Sequence, residues 1–447
     1  VTDAGIRVAT RRIPTASADA LTFLHLPDTG GPRFYWSAPD EGTTLAAFGA
    51  AHVARGEGPD RLDQVGSAIR PVSSGGRDSA GFGVPKWLGG VAFDPLEASG
   101  TQWDGFPPAW FVLPAATLTQ TPAGTWLTTA HADAEDRDPA TTADRVAEQL
   151  AGATTAPMAA GGPRASSRPD PHRQPPLLDD SNRAALLRRI GAALAAIDRG
   201  DVAKVVAATS RTIDRGRPFD PLAILDQLRA AEPGCFHFLV SPRPGLALVG
   251  ASPERLVRID GRQLETVALA GSAPRDPDPE RDRALGEALL ASPKERAEHA
   301  VVVAAIRDSL NGYRLAMPMQ PRLRRLAAIQ HLETPISAVL PHRGDILMEA
   351  AHLHPTPALG GSPRGAALAL IRALESAGRG WFGGAVGWID AGGDGELAVV
   401  IRSVLVRGHT ATAFAGAGIV AGSDPEAEVR EMELKLHIVL GAIEAAG

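Results

Sequence analysis

Lysine is scarce in this chain: Lys86, Lys204, Lys294 and Lys435 stand against 41 arginines in 447 residues. A chain that uses arginine for almost every cation keeps lysine mainly where arginine fails, because a buried ammonium can act as a base and a guanidinium stays protonated. Cysteine is scarcer still. One residue, Cys235, excludes an intrachain disulfide, and its place in the apolar run Cys235-Phe-His-Phe-Leu-Val240 reads as a small buried hydrophobe rather than a nucleophile. No window approaches the ~20 apolar residues of a membrane span, and the opening Val1-Thr-Asp-Ala-Gly-Ile-Arg-Val8 has no apolar signal core. Cytoplasm is the expected compartment. Basic residues are scattered, and a net charge of −6 with a pI near 6.1 leaves no electrostatic footprint for nucleic acid or an anionic membrane. A small-molecule partner is expected instead. Absent too are the phosphate-binding G-x-x-x-x-G-K-[ST], Cys/His zinc spacings and the G-x-S-x-G nucleophile elbow, so nucleotide and serine-hydrolase chemistry lose weight.

What is present is a 44% apolar chain, long enough for a substantial core. Residues 152–178 are crowded with proline, glycine and serine and lack hydrophobic periodicity, which reads as a flexible connection between an N-terminal half, 1–151, and a C-terminal half, 179–447. An internal echo, Trp87-Leu-Gly-Gly-Val-Ala-Phe93 against Trp381-Phe-Gly-Gly-Ala-Val-Gly-Trp388, suggests related halves, or else a shared glycine-rich strand. Helical spacing over 184–197 stops near Gly200, and Lys204 then heads a strand. Further strands are expected at 236–240, 246–250, 255–259, 384–389, 397–406 and 411–416. Ser292-Pro-Lys-Glu295 announces a helix running to about Gly312, with serine as N-cap and proline in the first turn. Helices are also expected near 364–377 and from Ser423 or Asp424 onward.

Three constellations bear on chemistry. Glu298 shares its helix face with Val301, Val302 and Ala305 and points toward the core, where a carboxylate must stay protonated, pair with a cation or bind metal. Glu295, one turn earlier, fits a capping box. On the last helix Glu428, Glu431 and Lys435 fall within roughly a 60° sector, either as a solvated face or as a hard-cation site, since Mg²⁺ usually takes one or two carboxylates plus water and substrate oxygens. Ala415-Gly-Ala-Gly-Ile-Val420 reads as an open loop before that helix, with amides able to approach an anion.

Taken in order, a series of blocks resembles the chorismate-utilising enzymes. They are Lys204-Val-Val206, Gly250-Ala-Ser-Pro-Glu-Arg-Leu256, Ala268-Leu-Ala-Gly-Ser272, Ser292-Pro-Lys-Glu-Arg-Ala-Glu-His299, His331-Leu-Glu-Thr-Pro-Ile336, Leu353-His-Pro-Thr-Pro-Ala-Leu-Gly-Gly-Ser-Pro363, Trp381 to Trp388, Val399-Val-Ile-Arg402, and Phe414 to Val420 followed by Ser423 to Glu431. The resemblance covers roughly residues 180–445, and the block at 353–363 is similar to the isochorismate synthase version.

The resemblance implies an α+β fold of two related halves forming a single functional unit, with large antiparallel sheets packed face to face inside flanking helices. It implies Mg²⁺-dependent, reversible isomerisation of chorismate to isochorismate, by water addition at C2 with loss of the C4 hydroxyl. Lys204 would activate the water, Glu254 would protonate the departing hydroxyl, and His331 matches an active-site histidine. Glu298 and Glu431 would hold Mg²⁺, supported by Glu295 and Glu428. Arg402, Lys435 and the amides around Gly416 would take the substrate carboxylates. Gly271 and Ser272 would line the metal and carboxylate side, while Ala358, Leu359, Phe382 and Phe414 would shape the ring pocket. A monomer without a glutaminase subunit is expected, because water is the nucleophile. The alternatives are a pyruvate-releasing salicylate or anthranilate synthase-like lyase and a non-catalytic family member. Two departures stand out: Arg211 arrives two residues later than the family pattern, implying a bulge after Lys204, and Glu333 sits near His331 where a less acidic residue is usual. Lys86 and Lys294 acquire no role, and Lys294 is expected to be solvated.

Overall fold

The computed structural model describes residues 5–14, 19–26, 31–39, 42–70, 84–96, 101–132, 138–154, 177–375 and 377–447. Its strands form an eleven-stranded and a ten-stranded sheet, and every pairing among the described residues is antiparallel. Each sheet takes strands from both ends of the sequence. The larger runs through Ile6–Ile13, Gly124–Ala132, Ala116–Thr121, Thr43–Phe48 and Arg33–Ala38. It continues through Phe236–Arg243, Leu246–Ser252, Ser403–Arg407, Thr410–Val420, Lys204–Asp214 and Gly361–Ser362. The smaller runs from Leu315–Ala316 through Ile329–Val339, Gln263–Pro274, Arg255–Asp260, Gly395–Val399 and Ala385–Asp390 to Lys86–Val91, Ala109–Leu113 and His52–Gly56, with Arg322–Arg325 as a tenth strand that also pairs with Ile329–Val339.

Two seams therefore join early and late strands: Arg33–Ala38 with Phe236–Arg243, and Lys86–Val91 with Ala385–Asp390. The second seam is the internal echo itself, with Gly89 opposite Gly387. Of the connection expected over 152–178, residues 155–176 lie outside the described residues, and 152–154 end the helix Pro139–Thr154.

Alternation explains why the strands read as unbroken apolar runs. In Leu246–Ser252, Leu246 and Leu248 point between the sheets, whereas Ala247, Val249 and Ala251 join the core beneath the helices. Both faces are buried, so the usual polar face of an antiparallel strand is missing. Aromatics fill the space between the sheets: Phe34 of the larger and Trp110 of the smaller lie with ring centroids 5.5 Å apart. Helices pack on the outer faces, Pro425–Ala445 against Thr410–Val420 and Pro293–Ser309 against Gln263–Pro274. The caps are as the sequence announces. Ser292 accepts from the Glu295 amide and Asp424 from the Glu426 amide, each worth about 1 kcal/mol to its helix. No helix among the described residues is long and apolar enough to cross a membrane.

Four readings need correction. Helix Pro279–Ala291 precedes the one capped by Ser292, and its signal, Asp278 before Pro279, has the same cap chemistry. The strand expected over 397–406 is two strands, Gly395–Val399 in the smaller sheet and Ser403–Arg407 in the larger. Between them the chain crosses from sheet to sheet, with Arg402 at φ 49°, the one non-glycine residue with positive φ among those described. Residues 415–420 are not a loop: they pair with 204–209 in a continuous ladder. That ladder runs unshifted from Val420–Lys204 to Thr410–Asp214, so the bulge expected after Lys204 is absent and Arg211 sits opposite Ala413.

Candidate active site

The two sheets part where strands change sheet, and a cavity lies there. One crossing is Ser252 to Arg255, carrying Glu254; the other is Val399 to Ser403, carrying Arg402. The crossings are stitched together by Val399 N–H donating to the Glu254 carbonyl at 3.0 Å and Ala251 N–H donating to the Arg402 carbonyl at 3.1 Å. The cavity takes in about 810 Å³ of space, open solvent at its mouth included. Lys204, Glu254, Gly271, Ser272, Glu298, His331, Ala358, Leu359, Phe382, Arg402, Phe414, Gly416, Glu431 and Lys435 all line it. Glu295 and Glu428 lie behind the lining.

Lys204 opens its strand with a side chain 1% exposed, and its Nζ donates to Glu298 Oε1 at 2.8 Å. Glu254 is buried opposite. Burial pushes its carboxyl up to about 8 even though Lys204 and Lys435 pull the other way. One group thus presents nitrogen and the other a retained proton to the same cavity. The aromatic wall is ordered by stacking, Phe382 on Phe414 with centroids 5.2 Å apart and Phe414 on Trp103 at 5.6 Å.

Gly271 is the extra residue of a β-bulge opposite Ile329–Val339, at φ 79°. A left-handed backbone favours glycine, and a Cβ there would approach Glu295 Oε2 to 3.2 Å. The bulge turns Ser272 toward the carboxylates: its amide donates to Glu295 Oε2 at 3.3 Å and its Oγ lies 3.0 Å from His331 Nδ1. The Glu295 side chain is therefore turned to Ser272, and of the expected capping box the serine half is formed.

Helices Pro293–Ser309 and Pro425–Ala445 bring together Glu295, Glu298, Glu428 and Glu431. Burial raises the carboxyls of Glu295 and Glu428, and the Glu431 charge raises both further against the pull of Lys294. Burial pushes Glu431 up as well, but Lys435, Lys294 and the Ser272 hydroxyl outweigh it and hold this carboxyl below its ordinary range. Lys294 is not a solvated bystander. Its Nζ donates to Glu428 Oε1 at 2.8 Å and lies 3.3 Å from Glu295 Oε1, tying the helices together. Lys435 lies 2.7 Å from Glu431 Oε1 and donates to the Gly416 carbonyl at 2.8 Å, leaving one of its three N–H groups for a ligand. Among the described residues no three His, Cys, Asp or Glu side chains converge on a single point. The donor set is nonetheless all oxygen, and a hard cation such as Mg²⁺ needs only one or two carboxylates.

Residues 4–444 match the family described as chorismate binding enzyme. The chain belongs to that family. Among chorismate-binding enzymes it is 34% identical to the salicylate biosynthesis isochorismate synthase of Pseudomonas aeruginosa, over 94% of this chain and 86% of that protein. It is 32% identical to isochorismate synthase MenF of Bacillus subtilis, over 96% of this chain and 91% of that one. The solved structure of MenF, the menaquinone-specific isochorismate synthase from Escherichia coli, superposes with a TM-score of 0.77 at 26% identity, covering 99% of this chain and 95% of that one. Anthranilate synthase component I from Streptococcus pneumoniae shares the fold, with a TM-score of 0.69 at 20% identity and coverage of 96% and 99%.

Several residues in and around this cavity escaped the sequence reading. Arg379 lines the cavity, is gripped by Glu375, and donates to the carbonyls of Leu359 and Val206 at 2.9 and 2.8 Å, fixing the loop that carries Ala358. Glu232, at the end of helix Pro221–Ala231, holds Arg402. Neither has a local sequence signal. Glu333 has its account: it is buried and opposite Arg322, whose Nε donates to it at 2.6 Å, with Arg324 at 3.7 Å. Cys235 is fully buried, and burial pushes its thiol up to about 12.

Gly418 makes the lysine pair a packing matter. A Cβ there would press on Glu298 Oε1 and stand 2.7 Å from Lys204 Cε. Gly418→Ala is expected to leave the fold intact, since the crowded atoms are ends of side chains. By displacing the pair it should cost about 100-fold in turnover, the scale set by ~1 Å misplacements. Circular dichroism with steady-state kinetics checks both parts.

Proposed function

We infer that the chain is an isochorismate synthase, interconverting chorismate and isochorismate through water addition at C2 and loss of the C4 hydroxyl. The observation that carries this is the pairing of buried Lys204 with a buried, proton-retaining Glu254 in one cavity. Relatives named isochorismate synthases, matched over nearly the whole chain, support it.

In this reading Lys204 takes a proton from the attacking water, and Glu254 gives its proton to the leaving hydroxyl, so one water enters and one departs. A carboxyl at about 8 still carries its proton at neutral pH, which is what a general acid requires. Water activation needs the neutral amine, so Lys204 must act with the Glu298 charge engaged elsewhere. Arg402 and Lys435 receive the substrate carboxylates beside the strand at Gly416, and Phe382 and Phe414 flank the ring with Ala358 and Leu359. Glu298 and Glu431 would hold Mg²⁺, backed by Glu295, Glu428 and Ser272. Bound there, the ion would neutralise the carboxylates and polarise the ring carboxylate of the substrate. The enzyme is taken to be a cytoplasmic monomer of two related halves, 1–151 and 179–447, needing no glutaminase subunit.

The test is purified protein with chorismate, with and without Mg²⁺, read by product chromatography and mass spectrometry. Isochorismate without pyruvate is expected, requiring Mg²⁺, and Glu431→Ala should demand at least about tenfold more of it, since losing even a residue that only supports a metal ligand costs that much. Pyruvate with salicylate or anthranilate would make the protein a lyase; no turnover at all would sink the assignment.

A further inference from the structure

A line of hydrogen bonds runs from outside the cavity to its carboxylates, and its direction is dictated at one point. Arg402 Nη1 donates to Glu232 Oε2 at 3.2 Å, and Arg402 Nη2 lies 3.0 Å from His331 Nε2. His331 Nδ1 lies 3.0 Å from Ser272 Oγ, and the Ser272 hydroxyl bonds Glu431. A guanidinium has donors and no acceptor. His331 Nε2 must therefore offer a lone pair, which puts the imidazole hydrogen on Nδ1. Nδ1–H, which also meets the Gly271 carbonyl, then donates to Ser272 Oγ, and the single serine proton is left for the Glu431 carboxylate. Had a hydroxyl or a carboxamide faced Nε2, the tautomer would be open.

The origin of this order is Glu232. Arg402 is 5% exposed and its backbone holds a left-handed conformation, so the guanidinium has little freedom and needs a counter-charge. Glu232 supplies it from a fixed corner: it is 2% exposed, caps the end of helix Pro221–Ala231, and its carbonyl stands 3.0 Å from His237 Nε2. It does not line the cavity. Burial and the Arg402 charge also hold the His331 ring well below its ordinary range, which agrees with a neutral imidazole.

We propose that Glu232 is a positioning residue that orients Arg402 for the substrate carboxylate and, through Arg402, locks His331 as a neutral Nδ1–H donor to Ser272. His331 then serves by holding Ser272 toward Glu431 and not by transferring a proton. The kinetic part of this rests on the isochorismate synthase reading; the tautomer part does not.

The experiment compares wild type, Glu232→Gln and Glu232→Ala by side-chain nitrogen NMR of the histidines, by kinetics and by thermal unfolding. His331 of the wild type is expected as the neutral Nδ1–H tautomer throughout the neutral pH range. Glu232→Gln, which keeps the shape and loses the charge, should fold as wild type and raise KM for chorismate about tenfold with a smaller change in kcat. That is the loss expected for one charge-assisted hydrogen bond. Glu232→Ala should lose more and let the His331 tautomer become mixed. An imidazolium or Nε2–H form of His331 in the wild type overturns the proposal. So does a Glu232→Gln protein with wild-type KM and tautomer, whether or not Glu232→Ala folds. If the wild type makes no isochorismate, the activity reading fails while the nitrogen spectra still decide this one.

Discussion

Lys204→Ala is expected to lower kcat for chorismate turnover by roughly 10²–10⁴-fold, the usual contribution of a positioned general base. The same change strands Glu298, which is 8% exposed and loses the ammonium 2.8 Å away. Removing one partner of a buried pair costs about 3–5 kcal/mol, so the variant should also unfold at lower temperature. The two effects separate in the double variant Lys204→Ala with Glu298→Gln. Without the stranded charge, stability should recover in part, while turnover should stay as low as in the single variant. Thermal unfolding and steady-state assays on the four proteins of the cycle give both numbers. If Lys204→Ala kept turnover within about tenfold of wild type, below the range for a general base, the lysine would not be the base.

Glu254→Gln should lose a similar factor, roughly 10²–10⁴, because an amide of the same shape has no proton to give. The pH profile gives a sharper signature. The active form carries the proton, and burial raises this carboxyl to about 8, so kcat/KM of the wild type should fall as pH rises through about 8. The residual activity of Glu254→Gln should lack that alkaline limb. Stability follows the same sign. A carboxyl raised in the folded state contributes fully below its ordinary range and loses that contribution as pH climbs toward about 8. Glu254→Gln should accordingly flatten the decline of stability across that window. An unchanged alkaline limb in the variant would assign it to another group.

The strands were legible because both faces of each sheet are covered, which makes runs such as 246–251 wholly apolar. The helices capped by Ser292 and Asp424 were legible from those caps, whereas the equivalent cap at Asp278 went unread. The break at Arg402 was not: Leu397 to Val406 contains no glycine or proline, and nothing local in Val-Ile-Arg-Ser marks a residue that must turn left-handed to change sheets. Glycine misled in the opposite direction at 415–420. There the small residues make room for Lys204 and Glu298 rather than for a loop, a fact visible only once Gly418 is seen against both. All the residues carried over by motif line the cavity except Glu295 and Glu428, which lie behind it, because they sit on strands, a bulge, helix faces and tight turns that the motifs themselves build. Glu232, Arg379 and the bridge made by Lys294 stayed hidden. Their partners lie far along the chain, and only the folded topology brings the charges together.

The two seams also govern the order in which this protein can come together. Pairing Phe34 with Val240 joins residues roughly two hundred apart, and pairing Trp87 with Ile389 joins residues roughly three hundred apart. Closing such loops costs entropy before any contact repays it, so high-separation sheets fold slowly. Until they close, Arg33–Ala38 and Lys86–Val91 present unpaired edges, the kind of surface that recruits the wrong chain. A folding intermediate would thus be most exposed to aggregation along the internal repeat, where Lys86 and Asp390, paired at one end of the seam, are the charges that guard the aromatic and glycine residues beside them while it waits.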